Sequence, residues 1–153
     1  MADVSPIPEG MHTITPHLVC ADGLAALDFY KRAFGAVQLD QNMSSGGKLL
    51  HAHLRIGNSS IMLADEFPEW DALGPNARGG ASVTLHLYVE NADAFMAQAE
   101  KAGATVVTPV EETFWGDRYG KLTDPFGHSW AVATHVRDVT PEEMHKAAQE
   151  MFA

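Results

Sequence analysis

Two stretches decide the fold, TPHLVCADGLAALDFYKRAFGA at 15–36 and TLHLYVENADAFMAQAEKAGA at 84–104. Each opens on a threonine and a histidine two residues apart, alternates as a strand does, and then takes up a helical period. Asp22 and Asn91 stand where helix N-caps belong, and Gly35 and Gly103 where a left-handed residue ends a helix. Leu24, Leu27, Tyr30, Lys31 and Phe34 share one face of the first helix. Phe95, Met96, Ala99 and Ala102 do the same in the second.

Outward from these stretches, the chain reads as one pattern written twice. Strand 12–20 and helix 22–35 lead to strands near 36–42, 48–57 and 59–65. Strand 81–90 and helix 91–103 lead to strands near 105–111, 119–124 and 128–135. The expected class is α+β, a single domain of two βαβββ modules, 12–65 and 81–135, forming a cupped mixed sheet. The turn-rich segment EFPEWDALGPNARGG, 66–80, joins them. A C-terminal helix over 140–152 follows, with Thr140 as cap, Pro141 in the first helical position and Glu143 completing a capping box. Its stripe of Met144, Ala147, Ala148, Met151 and Phe152 is expected to pack on its own domain or on a partner subunit.

Strand alternation sorts the faces. Leu18, Cys20, Ala52, Leu54, Ile56, Leu85, Leu87 and Val89 fall on the sides that face helices. Thr15, His17, His51, His53, Arg55, Thr84, His86 and Tyr88 fall on the open sides. One module covers only one sheet face with its helix, so two complete each other, within one chain or between chains. The face left open is a polar-lined cup.

Composition sets bounds on partners. The 153 residues hold 20 Asp and Glu against 10 Lys and Arg, a net charge of −10 with the basic residues scattered, so no nucleic-acid partner is expected. No apolar run approaches the roughly 20 residues that span a bilayer, and no membrane partner is expected. MADVSPIPEGMHTI has no basic region followed by an apolar run, so no signal peptide is expected and the cytoplasm is the default location. The lone cysteine, Cys20, reads as a small core residue, because alternation places it opposite His17.

Paired βαβββ units with this lettering resemble the vicinal oxygen chelate superfamily, which includes glyoxalases, extradiol dioxygenases and fosfomycin- and bleomycin-resistance proteins. Within it, ITPHLVCADGLAALDFYKRAFGA (14–36), HAHLRIGNSSIMLADEFPE (51–69) and FWGDRYGKLTDPFGHSWAVATH (114–135) resemble the PhnB-like subgroup. The resemblance implies a homodimer. It also places four metal-ligand positions on the first and last strands of each unit. Here these hold Thr15, Thr84, Ala131 and Ile61 or Met62, none a customary ligand. The usual four-ligand site is therefore expected to be absent, and with it glyoxalase I proton transfer, which needs a carboxylate base beside the metal.

The expected function is binding of a small organic ligand, with no metal and no cofactor, by His17, His53, Arg55, His86, Tyr88, Trp115 and Tyr119. The alternative is a metal-dependent lyase, isomerase or dioxygenase with a displaced site of His17, His53 and His86, three neutral imidazoles around an open position. Asp117 and Arg118 are expected to pair within their turn, His128 to be a turn residue, and Trp70 to form a lid or pack locally.

Overall fold

The computed structural model describes residues 3–152. The chain divides into two compact units, 1–80 and 81–153. The first contains β1 (His17–Cys20), α1 (Gly23–Phe34), β2 (Val37–Met43), β3 (Leu49–Ile56), β4 (Ser59–Asp65), a 3-10 turn (Pro68–Trp70) and α2 (Pro75–Arg78). The second contains β5 (Thr84–Tyr88), α3 (Ala92–Ala102), β6 (Thr105–Glu112), β7 (Asp117–Thr123), β8 (Ser129–His135) and α4 (Pro141–Met151).

Each unit holds one four-stranded mixed sheet, ordered β1-β4-β3-β2 and β5-β8-β7-β6. The first and last strands of each unit run parallel, β1 with β4 and β5 with β8, and the remaining pairs are antiparallel. The βαβββ repeat read from the sequence is thus present in both units.

The first strands are shorter than expected. The run at 12–20 contributes only His17–Cys20, and that at 81–90 only Thr84–Tyr88. Pro16 has no N–H to give a ladder; its carbonyl accepts from Met62 N at 2.9 Å, and the chain before it leaves the sheet with Ile14 exposed.

The caps form as read. Asp22 accepts from Ala25 N at 3.1 Å and Asn91 from Ala94 N at 3.0 Å. Gly35 is left-handed, with φ 66°. Asp65, at the end of β4, accepts from Gly23 N at 2.6 Å and Leu49 N at 2.7 Å, so one carboxylate ties α1 and β3 to β4. Thr134 does the matching work in the second unit, accepting from Ala92 N and donating to Val89 O, both at 2.8 Å.

The core of the first unit joins Leu18, Cys20, Leu49, Leu54 and Leu63 to Leu27, Phe29, Tyr30 and Phe34 of α1. Leu24, placed on that face by its spacing, is instead exposed, because the sheet receives the arc centred on Ala26, Phe29, Tyr30 and Ala33. In the second unit Met96, Ala99, Leu122, Trp130 and Val132 are buried. Burying each large side chain contributes about 1.5–3 kcal/mol. Cys20 is buried and forms no disulfide, as expected. No residue of α4 is buried: Met144, Ala147 and Ala148 of its stripe are half-buried, and Met151 and Phe152 stand exposed.

Candidate functional site

The registers put each open-face residue in a defined row. In the first unit His17, Met62 and His53 are successive Cα partners across β1, β4 and β3. In the second, His86, Ala131 and Lys121 are the matching partners across β5, β8 and β7. Met62, not Ile61, therefore shares the face of His17, and Ile61 is buried. His53 corresponds to Lys121, and His51, two residues earlier, corresponds to Tyr119.

That correspondence explains the repeated histidine. In both units the first-strand imidazole reaches over the last strand toward a ring on the third. His17 and His51 meet edge-on, with centroids 6.4 Å apart. His86 and Tyr119 stack at 5.8 Å and 28°. Small side chains on β8, Ala131 and Ala133, let the second pair close above the strand.

The second unit builds the larger group. Tyr88, 68% exposed, lies 4.8 Å from His86, and Trp115 meets Tyr119 edge-on at 5.4 Å. Beneath them Asp117 is 2% exposed. Its Oδ2 accepts from Trp115 Nε1 at 3.1 Å and from the Tyr88 hydroxyl at 3.5 Å, and its Oδ1 faces His135 Nδ1 at 2.8 Å. His135 Nε2 faces Asp138 at 2.8 Å. Only the imidazolium donates to both carboxylates at once.

The Asp117–Arg118 pairing expected within the turn does not form. Successive strand residues face opposite ways, so Asp117 turns to the open face while Arg118 makes a two-pronged bond to Asp93 of α3, at 2.8 and 2.9 Å. Asp93 is held below the usual carboxylate range chiefly by that hydrogen bond.

Among the other named residues, Arg55 is exposed at the end of the first unit's open face, and His128 lies in the turn closed by Asp124. Trp70 packs locally on Phe67 at 4.6 Å and is 67% exposed. Thr15 precedes β1, and Thr84 bonds Ser129 at 3.2 Å. The customary four-metal-ligand pattern does not fit these side chains. Of the three histidines considered for a displaced metal, His17 and His53 belong to the first unit and His86 to the second. Among the described residues no group of three or more His, Cys, Asp or Glu is arranged to hold a metal ion. His53 Nε2 is buried without a hydrogen-bond partner among them.

Two histidines titrate in opposite senses. Burial first, then the neighbouring His51, lowers the His17 pKa from 6.5, whereas bonds to Asp138 and then Asp117 raise that of His135. His17 thus removes stability as pH falls below 6.5, since the unfolded chain takes the proton first. His135 contributes stability fully below 6.5 and loses it as pH rises through its raised value. Proton NMR titration of the imidazoles is expected to place the His17 midpoint below that of an unstructured peptide and the His135 midpoint above it. The opposite order would contradict these contacts.

Sequence reasoning missed Asp117, Lys121 and His135 as members of the site. The signal was available for the first two, since both lie two residues from Tyr119 and share its face.

Comparison with known proteins agrees with this architecture. Residues 10–132 match the Glyoxalase/Bleomycin resistance protein/Dioxygenase superfamily, and the chain belongs to it. An uncharacterized protein of Mycobacterium bovis, Mb0911c, is 45% identical over 137 residues, covering 88% of this chain and 90% of the relative. The structure of the Arabidopsis thaliana At5g48480 product superposes with TM-score 0.64 at 29% identity, covering 80% and 98% of the two chains. A PhnB protein from Bacillus cereus shares the fold with TM-score 0.63 at 16% identity, covering 80% and 99%. No helix among the described residues is long and apolar enough to cross a membrane.

Proposed function

We propose that the protein is a member of the PhnB-like subgroup that binds a small organic molecule without the superfamily's four-ligand metal site. The ring platform of the second unit is its binding surface. One observation carries this reading. His86, Tyr88, Tyr119 and Trp115 form a connected group on an open sheet face, and its outer members are tied to the buried carboxylate of Asp117. Aromatic side chains cost free energy when left in water, and a buried carboxylate costs several kcal/mol unless its partners compensate. A rigid platform holds its rings ready for a flat ligand, so little conformational freedom is lost on binding.

The subgroup reading is supported by the FWGDRYG and DPFGH stretches, which supply Trp115, Asp117 and Tyr119 and the turn into β8. Calorimetric titration with flat aromatic fragments such as 2-naphthol tests the function. Saturable binding that weakens about tenfold in Tyr119→Ala is expected from loss of one stacking partner. Equal binding by native and variant chains would remove the platform from the account.

A further inference from the structure

Lys121 stands in the same row as His86 and two residues beyond Tyr119 on β7, so its stem rises from the face that carries the rings. The residue is half-buried, and among the described residues its side chain makes neither an ion pair nor a hydrogen bond. An ammonium that has no acidic partner, on the face that carries the rings, attracts an anionic group placed there. The repeat supplies an independent observation. The matching position of the first unit holds His53, whose Nε2 is buried and unpartnered among the described residues. Both units therefore place a nitrogen-bearing side chain without a protein partner at the same place on the open face.

The distances suit one molecule. Two inter-strand steps, about 10 Å in all, separate the backbones of His86 and Lys121, and a fused ring system with one substituent covers that span. Glu111, the Cα partner of Tyr119 on β6, repels an anionic group from that edge and leaves Lys121 as the favoured end.

Resting on the binding reading above, we propose that the ligand is a flat aromatic or conjugated carboxylate. Its ring system lies on the His86–Tyr119 pair and its carboxylate meets the Lys121 ammonium.

Calorimetric titration of the native chain and Lys121→Met with 2-naphthoate, 2-naphthamide and 2-naphthylmethylammonium tests this. The carboxylate is expected to bind best, at least about tenfold tighter than the cation, and to lose about tenfold in Lys121→Met while the amide is unchanged. Carboxylate binding should also weaken as salt is raised. Equal affinity for carboxylate and amide, indifferent to Lys121→Met, overturns the assignment and leaves the binding reading standing. Failure of all three probes overturns both. A native dimer that Tyr88→Ala dissociates would then identify a second copy of the chain as the platform's occupant.

Discussion

Replacing Asp117 by alanine is expected to destabilise the protein by about 3 kcal/mol and to unfasten the ring platform at the same time. The carboxylate is 2% exposed and is the shared acceptor for Trp115 Nε1, the Tyr88 hydroxyl and His135. Truncation leaves the Trp115 indole N–H without its partner, removes one of the two carboxylates that hold His135, and opens a small void. Asn retains one acceptor oxygen and nearly the same volume, so Asp117→Asn should fall between alanine and the native chain. Urea denaturation supplies the free energies, and the near-ultraviolet circular dichroism of the tryptophans reports whether Trp115 has lost its setting. A loss below about 1 kcal/mol with unchanged dichroism would show that Trp115 and Tyr88 are fixed by something other than this carboxylate.

Gly116→Ala should be at least as damaging, by roughly 3 kcal/mol or more. Gly116 has φ +94°, a conformation an alanine side chain resists, and an added Cβ would collide with the Arg137 carbonyl. The collision cannot be relieved cheaply. Gly116 O accepts from both Val136 N and Arg137 N, at 2.9 and 3.1 Å, and the Arg137 side chain grips the Thr113 carbonyl at 3.2 Å. Retreat of either strand end breaks those bonds and displaces the two neighbours that matter, Trp115 and Asp117. Gly57 is a control of the same hand, with φ +58° and open space around its Cβ, so Gly57→Ala should cost only about 1–2 kcal/mol. Similar losses at both positions would show that the FWGD turn is not clamped as described.

The fold was legible because its signals are local and occur twice. N-caps, left-handed glycines and strand alternation at 15–36 and 84–104 each act within a few residues, and they placed β4 at its observed bounds, Ser59–Asp65. The start of β1 was overextended because strand-like residues before Pro16 have no ladder to join once that proline withholds its N–H. The outward turn of Leu24 depended on which arc of an apolar-rich α1 the sheet would accept. The candidate site was half legible. Alternation put His86, Tyr88 and Tyr119 on one face, yet it gave no measure of depth. Asp117 is buried because Trp115, Tyr88 and His135 converge on it from three separate segments, and that convergence is a property of register between β5, β7 and β8. The choice between Ile61 and Met62 was likewise settled by the pairing of β1 with β4, which alignment on the helices does not contain.

The most direct test of the platform is a nitrogen–proton NMR titration of the native chain with 2-naphthoate, following the tryptophan indole signals. Trp115 Nε1–H lies within the ring group and bonds Asp117, whereas the buried Trp130 Nε1–H bonds Asp124 at 2.9 Å on the helix side of the sheet. A saturable shift of the Trp115 signal is expected while Trp130 stays still. A Trp115 signal that does not move, or that moves only in step with Trp130, would contradict the platform as the binding surface.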